Sequence, residues 1–338
     1  MRAIALQSGF GISQLEVIER EICVPSDDEV LVKLEAVSLN YVDLLVIKGL
    51  LDPDLALPYI PITDGAGVVE QVGKNVTNFA PGDSVITTFI PLWLDDAPTE
   101  AKTSYSTRQG LGIIPGQLSE KKVFATHQLV HRPVNLSSIE AATLPIAGLT
   151  AWNALHYGGL QAEDTILLHG TGGVSIFALQ FAKAQGARVI ITSSRDDKLK
   201  RAKQLGADFA INYRTEPNWE SSVRRLTNDQ GADMVVETVG GQNLARSLSA
   251  VKMGGYISVV GLLDGFESSL NILDFIHSQV TIRGMEVGST QHFIEMNKFI
   301  QDKDIHPVVD RVFSFDETKA ALEYLEQGKH FGKVVIGF

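Results

Sequence analysis

The sequence predicts an α/β protein of two domains, the second built on a doubly wound parallel sheet. Three observations carry this. The 338 residues exceed what one ordinary hydrophobic core holds. The first third reads as short strands separated by turns. Beyond residue 140, short apolar strands alternate with segments of helical periodicity, a pattern that places helices on both faces of a parallel sheet.

Val30, Val32, Leu34 and Ala36 alternate with Leu31, Lys33 and Glu35, which predicts a half-buried strand. Residues 65–73 read as a glycine-punctuated strand, and Pro81-Gly82-Asp83 turns the chain into a strand over 85–89. Residues 91–119 show little periodicity and predict a long surface loop, a length usually tied to function. Residues 140–155 read as helix. Strands follow at 165–169, 188–192, 208–212, 233–238 and 256–260, with helices between them. An edge strand is expected over 280–287, helices over 291–301 and 316–327, and a last strand over 333–337.

The net charge of −11 argues against nucleic acid or an anionic membrane as partner, because both require basic patches. Cys23 is the single cysteine, so no intrachain disulfide and no cysteine-rich zinc lobe can form. The N-terminal residues lack a signal-peptide pattern, and no apolar run is long enough to span a bilayer; the expectation is a cytoplasmic protein.

Gly170-Thr171-Gly172-Gly173-Val174-Ser175 follows a strand and opens a helix. Glycines there permit a sharp turn and close approach to a pyrophosphate, which the free N–H groups and dipole of the helix attract. Ser175 stands where the usual pattern has a third glycine and is small enough for close packing. At the end of the next strand, where NAD-selective folds place an acid, the chain reads Thr192-Ser193-Ser194-Arg195-Asp196-Asp197-Lys198. Hydroxyls of Ser193 and Ser194 with the cations Arg195 and Lys198 suit a 2′-phosphate, so NADPH is expected over NADH. Asp196 and Asp197 are the contrary signal, since either could approach a ribose.

These features together resemble the medium-chain dehydrogenase/reductase superfamily, in its zinc-free, quinone-oxidoreductase-like branch. The resemblance spans the chain through an ordered series that includes residues 36–45, 64–69, 81–85, 141–145, 149–152, the glycine hexad, 205–208, 259–261 and 332–335. It implies a GroES-like β domain over 1–134, completed by 289–338, and a Rossmann NADP-binding domain over 135–288, with cofactor and substrate meeting in the cleft. It further implies that Thr150 lies near the nicotinamide and that Val260-Gly261-Leu262 meets the carboxamide. Tyr213 is expected beside the 2′-phosphate with Lys198, and Phe331-Gly332-Lys333 closing over the cofactor.

Zinc-dependent members carry a cysteine at the place read here as Ser38 and a His-Glu pair at Asp64-Gly65; neither Ser38 nor Gly65 suits catalytic zinc. His127 and His131 are four apart, which could put them on one face of a strand, but they read as surface or packing residues. Without a Lewis acid, polarisation falls to hydrogen-bond donors, which favours quinones and α,β-unsaturated carbonyls over simple alcohols. Asn40 and Tyr41 are the candidate donors, and Asp43 is expected mainly to fix their loop. Asp64 reads as a cap on a Gly65-Ala66-Gly67 turn. Related enoyl-thioester reductases use a tyrosine in the following loop, whereas residues 48–55 here contain none before Tyr59. The leading expectation is an NADPH-dependent oxidoreductase. A carbonyl or alcohol dehydrogenase of another substrate and a non-enzymatic NADPH-binding protein stay open. A homodimer through the edge strand at 280–287 is expected from the resemblance.

Overall fold

The computed structural model describes residues 1–95 and 97–338; Asp96, inside the expected 91–119 loop, lies outside the described residues. The chain divides into two compact units, Met1–Leu149 with Val287–Phe338, and Thr150–Glu286.

Along the chain come β1 (Arg2–Leu6), β2 (Leu15–Glu19), β3 (Glu29–Ser38), α1 (Tyr41–Ile47), β4 (Asp64–Val72) and β5 (Ser84–Thr87). Then follow α2 (Glu100–Thr103), β6 (Lys121–Ala125), β7 (Leu129–His131) and α3 (Ser138–Ala141). Next are α4 (Leu149–Gly158), β8 (Thr165–His169), α5 (Gly173–Ala184), β9 (Arg188–Ser193), α6 (Asp196–Gln204) and β10 (Phe209–Asn212). They are followed by α7 (Trp219–Leu226), β11 (Ala232–Glu237), α8 (Asn243–Ala250), β12 (Val251–Val259), α9 (Ile272–Ser278) and β13 (Thr281–Gly284). The chain closes with α10 (Thr290–Asp302), β14 (Val309–Ser314), α11 (Thr318–Glu326) and β15 (Lys333–Gly337).

In the first unit a seven-stranded sheet runs β14-β15-β3-β4-β5-β7, with β6 also paired to β3. One side of β3 pairs with β4 along its length; the other pairs with β6 over Glu29–Lys33 and with β15 over Ala36–Ser38. The expected half-buried β3 is instead buried on both faces, Lys33 alone being exposed. Alternation of Lys33 and Glu35 with apolar residues suggested a wet face. Leu31 and Val37 are nevertheless covered, and Glu35 accepts a hydrogen bond from Ser138. That bond also explains why residues 135–149, assigned to the second domain from sequence, fall in the first unit: α3 packs on β3 and β4. The expected single helix over 140–155 is broken by a π-helical turn at Leu144–Gly148, where Pro145 brings no N–H.

The stretch expected as a surface loop is also different. It contains α2, and part of it is internal: Gln109 and Gln117 are fully buried, whereas Tyr105 and Ile113 are exposed. Burial is tolerated because their amides are satisfied, Gln109 Nε2 donating to Thr88 O at 2.6 Å and Gln117 Nε2 to Gln109 Oε1 at 3.0 Å.

The second unit is a six-stranded sheet in the order β10-β9-β8-β11-β12-β13, every adjacent pair parallel. This is the doubly wound order, reversing between β8 and β11. All five residues of β8 are buried, as a central strand with helices on both faces requires. The edge strand β13 is shorter than the expected 280–287. Among the described residues no helix is long and apolar enough to cross a membrane.

At Gly67 the β3–β4 pairing leaves no room for a side chain, since a Cβ would sit 2.1 Å from Lys33 O. Gly67→Ala is expected to destabilise the protein by about 1–3 kcal/mol. A denaturation midpoint equal to wild type would show that the strands do not approach so closely.

Candidate active site

The glycine hexad lies where the sequence put it, at the carboxyl end of β8. Gly170 has φ of +72° and its N–H bonds Thr192 O at 2.9 Å; a Cβ on Gly170 or Gly172 would meet nothing within 4 Å. The backbone therefore faces unfilled space, and Thr171 beside it is buried. α5 starts at Gly173 with Gly172 as cap residue, no side-chain cap and no acid in the first turn. The first N–H groups of a helix have no partner within it, so those of Gly173, Val174 and Ser175 suit a phosphate. Ser175 does more than fit: its Oγ donates to His169 O at 2.6 Å, tying helix to strand. These residues fit the pyrophosphate of a nicotinamide nucleotide.

At the end of β9, Ser193 is buried and Ser194 partly exposed, with no acid at the strand end. Arg195, expected to meet a 2′-phosphate, makes a two-pronged pair with Asp197 at 2.9 and 2.6 Å. That engagement corrects the reading of Arg195: a phosphate would have to displace a carboxylate. Asp196 is likewise taken, accepting from Asn212 Nδ2 at 2.7 Å. Lys198 is largely buried on α6. Tyr213 is exposed, its N–H bonded to Ser193 O at 3.1 Å, so it does stand next to the β9 terminus. Arg214, which the sequence reading passed over, follows it; the side chain is exposed and makes no ion pair among the described residues.

Val260, Gly261 and Leu262 leave the end of β12, where Val260 and Gly261 donate to Glu237 O at 2.9 and 3.1 Å. Thr150 is buried in the first turn of α4. Sequence reasoning also missed Glu237 and His169, both buried at strand ends. A charged residue closing the apolar run Met234-Val235-Val236 was the available signal.

In the first unit, the carboxyl end of β3, the start of β4 and the start of β15 surround a buried polar cluster. Lys333 Nζ donates to Leu39 O at 2.8 Å and to Asn40 Oδ1 at 2.6 Å, and lies 3.9 Å from Asp64. Asn40 Nδ2 donates to Thr63 Oγ1 at 3.1 Å and to Asp64 Oδ2 at 2.8 Å. Asp43 accepts from the N–H of Asn40 at 2.7 Å and of Thr63 at 2.9 Å. Asp43 thus ties the backbone of Asn40 to that of Thr63. Two readings change, those of Asn40 and Asp64. Asn40 has spent both amide hydrogens inside the protein and has none left for a substrate. Lys333 donates within this cluster, Phe331 is buried, and a Cβ on Gly332 would meet Val308 O at 2.3 Å. Asp64 caps no turn: residues 64–72 are continuous strand. Tyr41, the first residue of α1, is 49% exposed, in contrast to the buried Asn40 and Asp43.

Burial and the charge of Asp64 push Asp43 up to about 7; burial pushes Asp64 up to about 6 against the pull of Lys333. Burial lowers Lys333, with both carboxylates opposing it. The donor set does not fit zinc. Among the described residues no three His, Cys, Asp or Glu side chains group to hold a metal, and an ammonium occupies the cluster. Ser38 Oγ instead faces Val334 O at 3.4 Å, and Gly65 N–H bonds Thr87. His127 lies in a short 3₁₀ turn and His131 at the end of β7, so they do not share a strand; His131 packs on Phe79. Tyr59 is buried, donating to Ile114 O at 3.0 Å.

A two-unit chain with this cradle defines a nicotinamide-dependent oxidoreductase, and comparison with known proteins agrees. The alcohol dehydrogenase GroES-like domain matches residues 26–134 and the zinc-binding dehydrogenase domain residues 173–302. A zinc-type alcohol dehydrogenase-like protein of Schizosaccharomyces pombe is 44% identical over 336 residues, covering 96% of both chains. The human quinone oxidoreductase is 27% identical, covering 99% of this chain and 97% of its own. The crystal structure of a protein provisionally classed as an alcohol dehydrogenase, from Sinorhizobium meliloti 1021, superimposes with a TM-score of 0.93. It is 42% identical over 100% of this chain and 99% of that one. The chain belongs to the medium-chain dehydrogenase/reductase superfamily.

A carboxyl whose folded pKa is raised adds stability that is complete below the unfolded value near 4 and is lost as pH rises through the folded value. For Asp64 and Asp43 that loss falls between about pH 4 and pH 7. Asp64→Asn imitates the protonated carboxyl, so the drop in unfolding free energy from pH 5 to pH 8 is expected to shrink relative to wild type. An unaltered drop, measured by urea unfolding at both pH values, would show that Asp64 ionises normally.

Proposed function

We propose that the protein is an NADPH-dependent reductase of activated acceptors, namely quinones and α,β-unsaturated carbonyls, and works without zinc. The observation that carries the cofactor choice is the end of β9, where Ser193 and Ser194 replace an acid and Arg214 stands exposed beside Tyr213. The dinucleotide supplies a hydride when bound. The N–H groups of Gly173, Val174 and Ser175 would hold its pyrophosphate, and the serine hydroxyls, Tyr213 and Arg214 its 2′-phosphate.

Tyr41 is the group with which this chain would polarise an acceptor oxygen. Its position is set from below: Lys333 and Asp64 orient Asn40, and Asp43 grips the Asn40 N–H immediately before Tyr41. A phenol is a weaker electrophile than a metal, so the acceptor must already be prone to hydride attack. The human relative is named for quinones, which meet that condition.

The proposal includes a homodimer through β13. That strand is the open edge of the parallel sheet, and Phe266, Ile272, Leu273 and Ile276 beside it in sequence are 59–86% exposed.

A screen of NADPH oxidation over quinones, enones, aldehydes and alcohols tests the reading. Turnover confined to the first two classes is expected, and tight NADPH binding with no turnover on any would point to a non-enzymatic protein. Tyr41→Phe should lower kcat about 10²-fold with little change in the KM for NADPH; an unchanged kcat removes the phenol from the chemistry. Arg214→Ala should raise the KM for NADPH about tenfold or more and spare NADH. Equal effects on the two cofactors would defeat the 2′-phosphate assignment.

A further inference from the structure

Glu237 ends β11 with a side chain that is wholly buried. Its Oε1 accepts from Val239 N at 2.8 Å and Gly240 N at 3.1 Å. Its Oε2 accepts from Asn243 Nδ2 at 2.9 Å and from the Ser247 hydroxyl, both on α8. Four donors meet one carboxylate, which is what keeps a buried charge tolerable. The network reaches the phosphate cradle as well. His169 Nε2 lies 3.0 Å from Ser247 Oγ and its Nδ1 3.2 Å from Thr192 Oγ1, and His169 immediately precedes Gly170. With Ser247 Oγ donating to Glu237, Nε2 is the protonated nitrogen and Nδ1 accepts. The carbonyl of His169 takes the hydroxyls of Ser175 and of Thr238, the residue after Glu237.

The loop after β11 meets the loop after β12 at backbone distance. A Cβ on Gly261 would lie 1.8 Å from Thr238 O, and one on Gly240, whose φ is +71°, 2.5 Å from Gly261 O. Val260 and Gly261 also donate to the carbonyl of Glu237 itself. One residue therefore sets residues 238–240 through its side chain and residues 260–261 through its main chain. Both loops leave the carboxyl ends of parallel strands on the side of the sheet opposite β9 and β10, relative to the cradle at β8. Ligands of such sheets lie outside the carboxyl ends, and a dinucleotide spans the two halves. The adenosine half belongs to β9 and β10, and the other half to β11 and β12.

We infer that Glu237 is a positioning residue for the nicotinamide half of the cofactor, acting through the 238–240 and 260–262 loops and not through contact with the cofactor. The inference rests on the nicotinamide reading above. It assigns a division of labour within one buried network. The N–H groups of α5 bind phosphate whatever the state of Glu237, whereas the loops facing the nicotinamide depend on its four hydrogen bonds.

The test uses the full chain and two probes, NADPH and 2′,5′-ADP, which carries only the adenosine half. Dissociation constants are measured by calorimetry for wild type, Glu237→Gln, Asn243→Ala and Ser247→Ala. Glu237→Gln keeps the shape but turns one acceptor into a donor that faces other donors. Affinity for NADPH is expected to fall at least tenfold, while that for 2′,5′-ADP stays within about twofold. Asn243→Ala and Ser247→Ala, which each remove one donor and leave the carboxylate, should shift the same ratio by a smaller amount. They carry the test alone should Glu237→Gln fail to fold. Equal losses for the two probes would reduce Glu237 to a general stability role and overturn the inference, as would unchanged binding of both. Wild-type protein that binds neither probe would sink the functional reading together with the inference. Wild-type binding with a flat ratio across the variants sinks the inference alone.

Discussion

A charge taken out of water has to be met by hydrogen bonds or opposite charge, and the penalty for failing is several kcal/mol. Each unit of this protein meets that demand at the ends of its strands. In the first unit Lys333, at the start of β15, joins the end of β3 to Asp64 at the start of β4. In the second, Glu237 gathers α8 and the loop beyond β11, with His169 of β8 attached through Ser247. The first cluster is brought together from segments far apart in the chain; in the second, the donors to Glu237 lie within ten residues of it and His169 is joined from a distant strand. Once assembled, each leaves few alternatives for the backbone around it. That is how loops become rigid enough to hold a ligand.

The two units treat their polar ends differently. In the first, the amide of Asn40 and the ammonium of Lys333 are turned inward and engaged, leaving the exposed Tyr41 as the candidate. In the second, the start of α5 is left without a side-chain cap or an acid, and glycines hold space open in front of it. An uncapped helix end is normally a defect; here it leaves N–H groups that suit a pyrophosphate. The pairing of Arg195 with Asp197 at the start of α6 shows the opposite outcome, where a cation that looked available is neutralised by its own neighbour.

Much of this was legible beforehand. Apolar strands such as Thr165–His169 announce a central parallel strand whatever surrounds them, and the spacing of glycines after it announces the cradle. The surface-loop reading of 91–119 holds only in part, because irregular, polar sequence looks the same outside and inside; Gln109 and Gln117 are buried with Gln117 donating to Gln109 and Gln109 to Thr88. Asn40 failed as a substrate donor for a related reason. Its residue type was read correctly, but the partners that exhaust its hydrogens, Thr63 and Asp64, are more than twenty positions away.

The periodic parts could be read from the chain alone: the alternation of strands and helices, the glycine turn, and the absence of an acid at the end of the second strand. These follow from local rules of backbone geometry and burial that act over a few residues. Tertiary structure alone decided which polar groups remain free. A hydrogen bond is a claim on a specific partner, and the distant partners of Lys333, Asn40 and His169 are known only when the chain has folded.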